Sequence, residues 1–178
     1  MSSAPTTPYP ATPTVTITAT IAAPSAISPG TGSVKFMAAG NSISTACDTA
    51  AVTSGQASCI ADYSAVNGND LTAHYTGGTT SGVTYTDSDS PTLQGTTVTV
   101  SQPSAGTFMA TVQGGPSGNG DGNVQFVVGG TVICDLPIAS GSASCTPNPA
   151  LTAGTDVWEI YTPAAGSSFA SSDKKDTA

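Results

Sequence analysis

The sequence has no arginine, one glutamate (Glu159), one histidine (His74) and one tryptophan (Trp158). Its only basic residues are Lys35, Lys174 and Lys175, against 11 acidic ones, for a formal net charge of -8. So few cations cannot displace counterions from phosphates, which excludes nucleic acid as a partner. The strong helix formers Leu, Glu, Lys and Arg are scarce, which argues against a helical bundle. No apolar run approaches the ~20 residues of a membrane-spanning helix, so membrane insertion is not expected. A Ser-His-Asp triad would have to use His74, and its neighbours Ala73 and Tyr75 put it on the outer face of a strand, as a surface histidine. Glu159 has no evident second carboxylate across a cleft. An isopeptide crosslink would need an inward lysine, and Lys35 points outward between Val34 and Phe36. These gaps lead to the expectation of a non-enzymatic protein without a cofactor.

What remains is rich in Ala, Ser, Thr and Val, punctuated by 20 Gly and 13 Pro, a composition that favours strands and turns. An internal repeat organises it. Gly32-Ser33-Val34-Lys35-Phe36 matches Gly122-Asn123-Val124-Gln125-Phe126. Cys47-Asp48 matches Cys134-Asp135, Gly55-Gln56-Ala57-Ser58-Cys59 matches Gly141-Ser142-Ala143-Ser144-Cys145, and Tyr75 matches Tyr161. The landmarks keep their order in both copies, which predicts two domains, 1–90 and 91–178, meeting near Ser90-Pro91-Thr92, with the last few residues frayed. Within each copy the apolar period is two: Val15, Ile17, Ala19 and Ile21; Val34 and Phe36; Leu71, Ala73 and Tyr75; Phe108, Ala110 and Val112; Val124, Phe126 and Val128. Short strands at this spacing, separated by Gly-rich turns, predict an all-β sandwich.

Four cysteines fall two per copy. Three pairings are formally open, and the repeat favours Cys47 with Cys59 and Cys134 with Cys145. Such disulfides imply an oxidising, extracellular destination. The N-terminal Met1-Ser2-Ser3-Ala4-Pro5 has neither a basic n-region nor an apolar h-region, so it does not read as a Sec-type signal peptide. Two routes outward are then expected: release without a signal, as virion proteins are released on lysis, or a leader removed ahead of the mature chain.

In this order of landmarks, ending in a strand that closes on Tyr, the chain resembles tandem bacterial and phage immunoglobulin-like repeats of the group-3 kind. The resemblance covers nearly the whole chain. It implies two tandem immunoglobulin-like β-sandwich domains, a role as spacer, decoration or adhesion module, and no catalytic residue to carry over. One strand departs from the pattern. In the family register Val157-Trp158-Glu159-Ile160-Tyr161 turns Glu159 inward and Trp158 and Ile160 outward. The alternative is a one-residue slip or bulge that buries Trp158 and expels Glu159.

Trp158 and Ile160, with Tyr9 in the Pro-rich N-terminal stretch, are therefore candidate interface residues. Asp87, Asp89 and Asp121 are weak Ca²⁺ candidates, since hard oxygen ligands are present but few. The leading functional expectation is a virion-surface protein, a phage capsid decoration or tail-associated component. The alternatives are a spacer or adhesin fragment of a bacterial cell surface, and a carbohydrate-binding module. Expected partners are proteins on a virion or cell surface, a second copy of the chain in a homo-oligomer, or a glycan.

Overall fold

A computed structural model describes residues 1–5, 14–23, 29–114, 118–119 and 121–178. Residues 1–89 supply two main sheets. The first has the order β1 (Ser2–Pro5), β2 (Thr14–Thr20), β6 (Gln56–Asp62). The second runs β10 (Ser88–Asp89), β7 (Leu71–Thr76), β3 (Ser33–Ala38), β4 (Asn41–Ser42), with β5 (Ala50–Ala51) also on β3. A hairpin of β8 (Gly78–Thr80) and β9 (Val83–Tyr85) sits apart. Residues 96–177 supply two more sheets. One pairs β11 (Thr96–Ser104) with β12 (Thr107–Gly114), which also carries β13 (Gly118–Asn119) and β16 (Ser142–Cys145). The other has the order β15 (Thr131–Pro137), β14 (Asn123–Val128), β17 (Asp156–Thr162), β18 (Ser172–Thr177). Two single helical turns, α1 (Thr45–Asp48) and α2 (Tyr63–Val66), complete the described chain.

The period-two pattern explains the layering, because successive strand side chains point to opposite faces. Along β2, Val15, Ile17 and Ala19 are buried and the threonines between them are not. They meet Val34, Phe36, Leu71, Ala73 and Tyr75 from the facing sheet in one core. Ile21 lies past the end of β2 and only packs at the rim of that core. A second core gathers Phe108, Ala110, Val112, Val124, Phe126, Val157 and Tyr161 from the two later sheets.

The repeated Gly-x-Val-x-Phe has a backbone cause. Gly32 and Gly122 both have positive φ, 91° and 106°, a region where residues with a Cβ are strained. A Cβ at Gly32 would collide with the carbonyl of Thr76, and one at Gly122 with that of Thr162. Each glycine lets its strand start flush against the neighbouring strand.

Both disulfides join facing sheets. Cys47, in α1 beside β3, bonds to Cys59 on β6, and Cys134 on β15 bonds to Cys145 on β16. Ser44 helps to hold the first site by accepting a hydrogen bond from the Cys47 N–H at 3.3 Å. The C-terminal residues expected to fray form β18 instead. Every residue from Ser172 to Thr177 pairs with β17, so the backbone groups on that side are satisfied by the sheet.

The chain-entropy argument values a staple closing loops of this length at ~3 kcal/mol. Replacing Cys134 and Cys145 together by Ser should therefore lower unfolding stability by about 2–5 kcal/mol. Thermal unfolding followed by circular dichroism checks this, and an unchanged midpoint would contradict it.

Candidate functional site

The feature that sets the two later sheets apart is β17, which is buried on both faces. Val157 and Tyr161 belong to the second core, and Glu159, on the same face by alternation, lies opposite Phe126. Glu159 is fully buried, at 0% exposure. The strand therefore keeps the register expected from the first copy, and the slip that would expel Glu159 does not occur. The other face carries Trp158 and Ile160. Here the expectation of an exposed apolar stripe is corrected. Ile160 is 0% exposed and joins the first core together with Val127, its near neighbour on β14. Trp158 is half-buried against that core. The outer face of this sheet is covered by the first half of the same chain. Val127 is buried for the same reason.

Several elements bring the cover into place. β1 runs against β17. Tyr63, at the start of α2, is buried, with Asp173 nearby. Burial, seconded by the negative charge of Asp173, raises its hydroxyl pKa. The Asn67 side chain donates from Nδ2 to the Asp173 carbonyl (3.2 Å), and its Oδ1 accepts from the Asp173 N–H (3.0 Å). The connecting segment has no slack. Leu71 and Leu93 exchange backbone hydrogen bonds at 2.8 and 2.9 Å, after which Gln94 donates to Ser168 and accepts from Ala170. Gly95 donates to Asp70 Oδ1 (2.7 Å), and a Cβ there would collide with the carbonyl of Gly68. The backbone approach at this joint therefore requires glycine.

At the exposed end of the strand, Lys175 Nζ lies 2.7 Å from Asp156 Oδ2 and 6.0 Å from the centre of the Trp158 ring. It covers the remaining open side of the indole, within cation–π range.

Glu159 is the electrostatic exception in this arrangement. Neither carboxylate oxygen has a hydrogen-bond partner among the described residues. An ionised carboxylate without partners is expensive to bury, so the group favours its neutral form. Burial, seconded by the negative charge of Asp176, pushes its pKa from 4.5 up to about 8, against a smaller lowering by Lys174.

The other candidates are dispersed. Tyr9 lies outside the described residues. Asp87 accepts the Gly77 N–H at 2.8 Å. Asp89 Oδ1 is 2.8 Å from His74 Nδ1 on an exposed face, where an ion pair contributes little. Asp121 accepts from the Ser167 hydroxyl at 2.8 Å and lies 3.5 Å from the Tyr161 hydroxyl. Among the described residues no group of three or more His, Cys, Asp or Glu could hold a metal ion. No helix of the described chain is long and apolar enough to cross a membrane. The two disulfides point to an oxidising environment. No protein-family model, no curated protein and no solved structure matches the chain.

The contact made by Asn67, Tyr63 and Asp173 was not foreseen from the sequence. The available signal was the asymmetry between copies: the strand outer face is polar in the first (Thr72, His74) and apolar in the second (Trp158, Ile160).

Ile160→Ala should cost about 2–5 kcal/mol of stability by leaving a cavity between the halves. Ile60→Ala, at a side chain 66% exposed, should change it by less than ~0.5 kcal/mol. Urea unfolding of the two variants side by side tests the assignment, and equal effects would contradict it.

The Glu159 carboxyl also sets a pH dependence. Its folded pKa is raised, so the native state holds a proton that the unfolded chain has released. The stability this contributes is complete below about pH 4.5 and is lost as pH rises through about 8. Each pH unit between removes about 1.4 kcal/mol. Glu159→Gln should gain stability relative to the natural chain as pH rises from 6 to 8, in paired denaturant curves.

Proposed function

We propose that the chain is a non-enzymatic structural module of two tandem immunoglobulin-like β-sandwiches, joined as a stiff pair and carried on a virion surface as a capsid decoration or tail-associated protein. The observation that carries the modular part is the repeated wiring. In each half the strand after the first edge strand pairs with the strand bearing the second cysteine of the repeat, and the Gly-x-Val-x-Phe strand pairs with the strand that ends in Tyr. A disulfide crosses between the sheets at the same place in each half.

The structural role draws support from what the polar residues do. His74 is tied to Asp89, and Asp121 to Ser167. Glu159 is sealed from solvent. These groups support packing and loop geometry. Burial of Ile160 and the backbone bonds at Leu93 and Gln94 favour a fixed angle between the sandwiches, as a surface component held in one orientation requires. An acidic chain with a net charge of -8 stays soluble and is not drawn to polyanions.

The decisive experiment follows the chain during phage growth on its bacterial host. Under the virion reading, its peptides band with gradient-purified particles, and the isolated protein forms a closed symmetric oligomer or rebinds stripped particles. Recovery in the cell-wall fraction of uninfected bacteria would replace this reading with the spacer one.

A further inference from the structure

The strand that carries the buried carboxyl is also the strand that holds the two halves together. Glu159 faces the second core, while its immediate neighbours Trp158 and Ile160 face the first. One side chain of β17 cannot move far without moving the next, because they share a rigid, paired backbone. We propose that Glu159 acts as a proton-controlled latch on this joint: neutral, it lets β17 sit in both cores at once, and ionised, it pulls β17 from the second core and loosens the contact of Ile160 and Trp158 with the first half.

The surroundings leave an ionised Glu159 without rescue. β14, β11, β12 and β16 pack around that core and contain no titratable side chain, apart from the disulfide-bonded Cys145. β1 contains none either. β15 adds only Asp135, a further negative charge that accepts from Asn123 and Gln125, besides the disulfide-bonded Cys134. On its own strand Glu159 is flanked by Asp156 and by Tyr161, whose hydroxyl is turned to Asp121. Asp121 is a further negative charge. β18 brings Asp173, Lys174, Lys175 and Asp176. Lys175 is committed to Asp156 and the Trp158 ring, and Asp173 is held by Asn67 and lies near Tyr63. Lys174 is directly opposite Glu159 in register but exposed, and Asp176 repels. Tyr63, on α2, lies near Asp173 from the first half and stays neutral, because burial and Asp173 raise its pKa. Water is the solvent an ionised carboxylate needs, and Glu159 is sealed from it. Hydrating the carboxylate therefore requires β17 to part from its surroundings, among them β18, whose Asp173 is bonded to Asn67 of the first half.

The proposal concerns the joint itself and goes beyond the role assigned above; it holds or fails whatever surface bears the chain. Two singular residues make it directly measurable. Glu159 is the only glutamate and Trp158 the only tryptophan. Labelling with ¹³C-glutamate gives one carboxyl resonance, and the intrinsic emission reports one indole. Both are followed in the non-reduced full chain from pH 3 to 9.5, with the radius of gyration from small-angle X-ray scattering. The expected result is a single carboxyl midpoint two or more pH units above that of free glutamate. The Trp158 emission should shift to the red and the radius of gyration should increase with the same midpoint. Glu159→Gln should hold both readouts constant over pH 6–9. Should that variant not fold, coincidence of the midpoints in the natural chain remains the test. A carboxyl midpoint near the ordinary glutamate value would overturn the proposal. So would a raised midpoint with no change in emission or size, or a transition that persists in Glu159→Gln.

Discussion

The structure depends on β17 being shared. A β-strand offers two faces, and in most half-exposed sheets one of them is given to water. Here the inner face of β17 fills one core with Val157 and Tyr161, and the outer face completes another with Ile160. The energetic consequence is coupling. Burial of Ile160 contributes on the order of 2 kcal/mol, and that contribution exists only while both halves are folded and in contact. The hydrogen bonds of Asn67 with Asp173 and the glycine approach at Gly95 then fix the geometry in which that contact is made. A flexible linker at Ser90-Pro91 would leave an apolar stripe exposed. The short pairing of Leu93 with Leu71 prevents this.

The rest of the fold compensates for small side chains. The inward positions of β2, β6 and β12 include Ala19, Ala57, Ala61 and Ala110, which bury little apolar area each. Two devices make up the deficit. The disulfides cross between facing sheets and remove conformational freedom from the unfolded chain. A few large side chains, Phe36, Phe108, Phe126, Tyr63 and Tyr161, fill the centres. The Tyr161 hydroxyl reaches Asp121 at the edge of its core. The acidic residue that looked like part of a calcium loop thus supports a core tyrosine.

Much of this was legible in the sequence because the repeat supplied a second reading of each strand. Period two named Val15, Ile17, Val34, Phe36, Ala73 and Tyr75 as core, and all are buried. The cysteine positions named the bonded pairs because two copies with one pair each leave little freedom. Aligning the copies offered the β17 register with Glu159 inward but left a one-residue slip open beside it, and only the burial of Glu159 decides between them. What covers the outer face of that strand could not be read. Alternation distinguishes two faces but cannot tell water from another domain, so Trp158 and Ile160 read as a free surface. The C-terminal residues failed for a related reason. Ser-Asp-Lys-Lys-Asp-Thr has the composition of a frayed tail, and only its pairing with β17 makes it a strand. Edge strands are chosen by their neighbours, and polar composition on an edge is a protection against wrong pairing as much as a sign of disorder.

Glu159 is where local chemistry and global fold disagree. Every neighbouring inward position is apolar or aromatic, and a Val or Leu would satisfy the core better. Natural sequences keep such conflicts rarely, because each costs stability without aiding the fold. A buried carboxyl is tolerated only while it holds its proton, and the same strand joins the halves. Proton release and loss of the joint are then two descriptions of one event. The asymmetry between copies sharpens the point. In the first half the residue in the corresponding place is Ala73, buried and unproblematic, and the outer face of that strand carries the polar Thr72 and His74. The carboxyl appears in the copy whose strand has two cores to serve, at the position where a charge would disturb both.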